Sequence, residues 1–203
     1  EITFNLEINH PSFLRFIGYS PVDFKNRNNP IIITEYGVNG KLESILELDM
    51  NNPNDMILNP TKRLIILYGI ASGMSYLHSH NIIHCSLKPS SIYLDDFLFP
   101  RISEFGESKL LSENPIPDIK DLDFGYIKHN GDIYNSPESC FFSKNCSASD
   151  VYAFSMIAYQ LISNELPFVE VGSDLFDKIY EQGLRPEFKE SVPECYRRLI
   201  EKC

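Results

Sequence analysis

The sequence predicts an α+β fold in which a small β-rich part leads into a mainly helical lobe. Two observations carry that expectation. "LRFIGYS" and "PIIITEY" are rich in β-branched and aromatic residues and flank the polar segment "PVDFKNRNN", the pattern of a hairpin. Further on, apolar residues recur at helical spacing in two long runs with few charges among their core positions.

Taken in order, the chain opens with the helix-like run "EITFNLEINHP" and then the hairpin. "LDMNNPNDMILNP", Leu48 to Pro60, is rich in Asn and Pro and reads as a surface loop between helices. "NPTKRLIILYGIASGMSYLHSH" begins with Asn59 as N-cap and Pro60 at the first helical position, and sets Leu67, Ile70, Ala71, Met74 and Leu77 on one face. "SASDVYAFSMIAYQLIS" repeats the pattern with Val151, Phe154, Ala158 and Leu161. So few charges at its core positions imply a helix buried on most sides. "PFVEVGSDLFDKIYEQG" holds a shorter helix ended by Gly183, and "CYRRLIEKC" is a last helix-like run. No internal repeat appears. The abrupt ends lead us to expect a fragment of a longer domain.

Composition narrows the partners. Hydrophobic residues make up 43% of 203 residues, enough for a core, and the formal charge is −10. A net negative chain is poorly suited to nucleic acid or an anionic membrane, so neither is expected as a partner. There is no apolar run of about 18 residues and no basic-then-apolar start, so neither a membrane span nor a secretory signal is expected. The five cysteines, at 85, 140, 146, 195 and 203, form no CxxC pair. They read as reduced thiols of a cytoplasmic protein, and a zinc site is not expected.

"NIIHCSLKPSSIYLDD", Asn81 to Asp96, resembles the catalytic loop of eukaryotic protein kinases, His-Arg-Asp-Leu-Lys-Pro-x-Asn-Ile-Leu. Other segments support the likeness in the same order along the chain. "IIITEYGVNGKLESIL" resembles the hinge between the two lobes, with Thr34 as gatekeeper and the backbones of Glu35 and Gly37 facing adenine. "RISEFGESK" resembles the Asp-Phe-Gly segment with Glu104 in the Asp place, 18 positions after Ser86 as in the family. "YNSPES" resembles Ala-Pro-Glu through Ser136, Pro137 and Glu138, and Asp150 in "SDVYAF" matches the aspartate that braces the catalytic loop. A literal Asp123-Phe124-Gly125 lies 37 positions after Ser86 with no strand before it, and reads as a chance triplet in the activation segment.

The likeness is strongest to the tyrosine-kinase-like branch. It implies a protein-kinase-like fold with a partial N-lobe over 1–36, holding the third helix and two strands, and a mainly helical C-lobe over 37–203, cut short at its C-terminal end. In that frame Glu1 falls where the family has the glutamate that pairs with a lysine, and Asn5 stands where an apolar residue is usual. The lysine itself, with the Gly-rich loop, belongs upstream of these 203 residues.

The departures fall on the reacting positions. Ser86 replaces the Asp that orients the substrate hydroxyl and takes its proton, and a serine hydroxyl is neutral at pH 7 and a poor base. Ser91 replaces the Asn that holds one magnesium, leaving a weak ligand, while Glu104 keeps a carboxylate whose extra methylene displaces any ion it holds. Cys85 replaces the arginine that reads activation-loop phosphorylation, and makes no bidentate phosphate contact. Lys88 remains to contact a γ-phosphate, and Tyr93 lies under the adenine position. The expectation is a pseudokinase that binds proteins and signals by contact, with ATP and Mg²⁺ bound weakly or not at all. The alternative is an active ATP-dependent serine/threonine kinase with atypical catalytic residues.

Overall fold

In the computed structural model, strands β1 (Phe16–Ser20) and β2 (Ile31–Thr34) pair antiparallel, with Ser20 opposite Ile31 and an irregularity between Phe16 and Gly18. This is the expected hairpin. The structure describes residue 6 and residues 8–110, 133–142, 146–168, 175–190 and 192–203. Glu1, Asn5 and the Asp123-Phe124-Gly125 triplet therefore lie outside the described residues.

After the hairpin, helix α1 (Leu42–Asn51) buries Leu42, Ile45, Leu46 and Asp49, an i, i+3, i+4, i+7 stripe. It overruns the start of the loop expected from Leu48. A helix containing Leu48 turns Asp49 inward, where its carboxylate accepts from the Ile57 and Leu58 N–H groups and from Arg63 Nη2 at 2.7 Å. Arg63 also donates to the carbonyls of Leu58 and Leu161 and to Asn164 Oδ1. The segment from 52 to 59 is thus pinned at its base by a buried ion pair whose spare donors are satisfied.

Helix α2 (Pro60–Ser79) starts where the sequence predicts, with the Asn59 side chain accepting from the Lys62 N–H at 2.9 Å. Its buried face comprises Arg63, Ile66, Leu67, Ile70, Gly73, Met74 and Leu77. Ala71, expected on this face, is exposed. The stripe passes through Gly73 instead, because a Cβ there would meet Ile102 Cδ1 at 2.9 Å. The missing side chain lets the helix lie directly against the strands that carry the site.

Those strands are short. β3 (Ile82–Ile83) pairs antiparallel with β6 (Lys109–Leu110), and β4 (Ile92–Leu94) with β5 (Pro100–Ile102). Helix α3 (Pro137–Phe142) precedes α4 (Ser147–Ser163), which runs through the core and buries residues on most sides, Met156, Ile157, Ala158 and Leu161 completely. Val151, expected to face inward, is exposed, as is Ala148 one turn before it. Helix α5 (Leu175–Gln182) is followed by Gly183 at φ +64°, and α6 (Glu194–Glu201) packs back through Ile200. The main core joins α1, α2, α4 and β3–β5, with Phe13 entering from the chain's first segment. Among the described residues no helix is long and apolar enough to cross a membrane.

Candidate functional site

Two strand pairings bring the two candidate segments together. The β3–β6 and β4–β5 ladders fix both ends of the loop 84–91 beside residues 103–108. His84 is fully buried, and its Nε2–H donates to the Ser103 carbonyl at 2.9 Å while its Nδ1 accepts from the Ser86 N–H. Ser103 in turn donates through both N–H and Oγ to the Ser91 carbonyl, and Ser108 Oγ donates to the His84 carbonyl. Burial pulls the His84 pKa below the ordinary histidine value, against an opposing pull from Asp150. The ring is therefore neutral, as its one-donor, one-acceptor bonding requires.

Asp150, on the first turn of α4, holds the loop from the other side. Its Oδ2 accepts from the His84 N–H and from His78 Nε2, both at 2.9 Å, and its Oδ1 accepts from the Cys85 N–H at 3.0 Å. Cys85 sits at φ 68°, a left-handed conformation that is unfavourable for a residue with a Cβ, and the Asp150 bond helps to hold it there. Phe105 is buried between two rings, 5.4 Å from that of His84 and 5.6 Å from that of Phe13.

The reacting positions are placed differently. Ser86 is half-buried and carries a hydroxyl that cannot act as a carboxylate base. Ser91 is fully buried, and its hydroxyl is used within the loop: it donates to the Lys88 carbonyl at 2.8 Å and accepts from the Lys88 N–H at 3.1 Å. Lys88 is half-buried at the start of that turn. Glu104 is exposed, also in the left-handed region at φ 68°, and its Oε1 accepts from Lys41 Nζ at 3.1 Å.

The hinge segment completes the site. Thr34 ends β2 opposite Phe16. The Glu35 N–H donates to the Arg15 carbonyl, and Glu35 Oε1 accepts from the Arg15 N–H and lies 4.0 Å from Arg101 Nε. Gly37 is backed onto Tyr93 so closely that a Cβ there would lie 2.7 Å from Tyr93 Cβ. Lys41 forms an antiparallel bridge with Tyr93, and its ammonium lies 5.5 Å from the centre of the Tyr93 ring. Gly37, Lys41, Tyr93 and Glu104 thus form one continuous surface, joined through Ser103 to Ser91 and the loop carrying Ser86 and Lys88. Lys41 gave no signal in the sequence. It is 63 positions from Glu104, and a lysine opening a helix after glycine looks like any solvated lysine.

Chemically, the donor set fits a nucleotide-bound magnesium poorly. Mg²⁺ demands near-ideal octahedral geometry from oxygen ligands. Here one candidate oxygen is closed into a local turn and the other already faces an ammonium.

A family model described as protein tyrosine and serine/threonine kinase matches residues 1–203. The chain is 28% identical over 205 residues to a putative serine/threonine-protein kinase/receptor of Acanthamoeba polyphaga mimivirus, covering 100% of this chain and 12% of that protein. It is 28% identical over 202 residues to ephrin type-A receptor 3 of Danio rerio, covering 97% of this chain and 19% of the receptor. It is 29% identical over 212 residues to serine/threonine-protein kinase 12 of Arabidopsis thaliana, covering 100% of this chain and 42% of that kinase. The chain spans less than half the length of each of these relatives.

Proposed function

The chain belongs to the protein tyrosine and serine/threonine kinase family, and we propose that within it this chain is a pseudokinase, a kinase-shaped module that binds other proteins and signals by contact. One observation carries the reading: the position of the catalytic base is Ser86, on a loop whose His84, Cys85 and Ser86 N–H groups are held by Asp150 and His84. Phosphoryl transfer asks the protein for positioning and charge neutralisation, and a missing general base typically costs roughly 10²–10⁴-fold in rate. The closed Ser91 turn and the Lys41–Glu104 pair support the same reading from the metal side.

On this reading the partners are proteins, docked on the helical lobe, and the module works in the cytoplasm. A charge of −10 gives it no attraction for nucleic acid or an anionic membrane. The second reading, an active ATP-dependent serine/threonine kinase with atypical residues, draws on the carboxylate at Glu104 and the ammonium at Lys88.

Nucleotide-dependent thermal stabilisation, with and without Mg²⁺, tests the proposal. ATP is expected to bind these 203 residues with Kd above roughly 1 mM, worth no more than about 4 kcal/mol. At 1 mM ATP the stabilisation would then be about 0.4 kcal/mol or less, a shift near zero. A magnesium-dependent shift corresponding to micromolar affinity would favour the second reading.

A further inference from the structure

Lys41 is held in place by more than its ion pair. Its backbone bridges to Tyr93, and the turn before it is fixed by the Asn39 N–H donating to the Leu94 carbonyl and the Leu94 N–H donating to the Gly40 carbonyl. From that anchored start the side chain brings its ammonium over the Tyr93 ring, 5.5 Å from its centre, and onto Glu104 Oε1. A cation over a tyrosine face is attracted by the ring quadrupole, so the carboxylate is not its only support. We propose that Lys41 is the built-in cation of this cleft, occupying the place beside Glu104 that a divalent metal would need and keeping that metal out. The proposal rests on the pseudokinase reading and gives it a mechanism at the metal position.

The physics concerns binding more than stability. The Lys41 and Glu104 side chains are 35% and 42% exposed, and such a pair adds little to the fold. Towards a divalent ion the effect is larger. A carboxylate neutralised by an ammonium offers no net charge, and the ammonium repels a doubly charged ion a few ångströms away. Burial by itself pulls the Lys41 pKa down. The hydrogen bond and charge of Glu104, with smaller pulls from Tyr93 and Glu43, outweigh it and hold the group above the ordinary lysine value.

The test is a titration of the full-length protein with Mn²⁺ alone, free ion being read by electron paramagnetic resonance. Lys41→Met keeps an unbranched side chain of similar length and removes the charge. It is expected to tighten Mn²⁺ binding about tenfold or more, the size of removing one charge repelling a divalent ion at contact. Lys41→Arg and the double variant Lys41→Met/Glu104→Gln are expected to bind as weakly as the unmodified protein. No tightening in Lys41→Met, or tightening that survives the added Glu104→Gln, overturns the proposal. Should Lys41→Met fail to fold, ¹³C-dimethylation of the lysines gives a second readout. The Lys41 resonance must move on Glu104→Gln, and an unmoved resonance overturns the pairing. Neither readout involves phosphotransfer. Activity in the unmodified protein would sink the pseudokinase reading whatever the manganese result, and an inactive protein without manganese gain would sink only the role given to Lys41.

Discussion

Asp150 and Glu104 are carboxylates on opposite borders of the same loop, and their surroundings are opposite. Asp150 is 2% exposed and accepts two backbone N–H groups and the His78 ring. Glu104 is exposed and takes a single ammonium, that of the partly exposed Lys41. A buried carboxylate with fixed donors cannot be lost without leaving those donors unpaired, whereas a surface ion pair can be lost at little cost. The brace side of the site is therefore bound into the fold, and the cleft side is not. That asymmetry is how a kinase-like chain can change its reacting positions and keep its shape.

The largest expected difference follows directly. Asp150→Ala should destabilise the protein by about 3 kcal/mol in urea unfolding, because the buried His84 N–H and the part-buried Cys85 N–H lose a charged acceptor. Glu104→Gln should change stability by no more than about 0.5 kcal/mol. Equal losses for the two would break the comparison.

Hydrogen exchange extends the same contrast to whole elements. β1 and β2 are half-buried or exposed along their length, while α4 lies in the core. A two-stranded hairpin is marginal by itself. Its amides are expected to open with a free energy about 2 kcal/mol or more below those of α4. Equal protection of residues 16–34 and 147–163 would contradict this.

A pH titration tests the neutral His84. Its folded pKa is depressed by burial, so below about 6.5 the unfolded chain binds a proton that the folded chain refuses. Stability should therefore fall as pH drops below that value, by at most about 1.4 kcal/mol per pH unit from this group. Half-buried His10, also depressed by partial burial, adds in the same direction. His84→Gln should flatten the slope, and an unchanged slope would show that the ring does not carry it.

A modest effect on urea unfolding is expected at Ser91. Ser91→Ala removes one hydrogen-bonded turn between Ser91 and Lys88 and should cost about 1 kcal/mol.

Much of this fold is legible in the sequence because its signals are local. Asn59 and Pro60 mark the start of α2, Gly183 follows the end of α5, and two β-branched runs around polar residues give the hairpin. The errors arise where a neighbour decides. Ala71 and Val151 fit an apolar stripe by spacing, but α2 turns Gly73 to the strands and the exposed edge of α4 falls at Ala148 and Val151. Asp49 and Arg63 look like surface charges until the chain closes on itself. At the site, the motif positions His84, Phe105 and Asp150 can be named from the resemblance of their local strings to those of the kinase family. The closed Ser91 turn and the Lys41–Glu104 pair cannot, because one depends on hydroxyl orientation and the other on a contact across 63 positions.

Phosphotransfer by the full-length protein is the most direct test of a kinase shape without its reaction. Labelled γ-phosphate should not pass to a generic protein substrate from the unmodified protein. It should do so from Ser86→Asp/Ser91→Asn/Glu104→Asp carrying Lys41→Met as well, which returns the base and both metal ligands and removes the competing ammonium, since such groups act as a unit. Transfer by the unmodified protein that is abolished by Lys88→Ala would contradict the pseudokinase reading and establish the active kinase in its place.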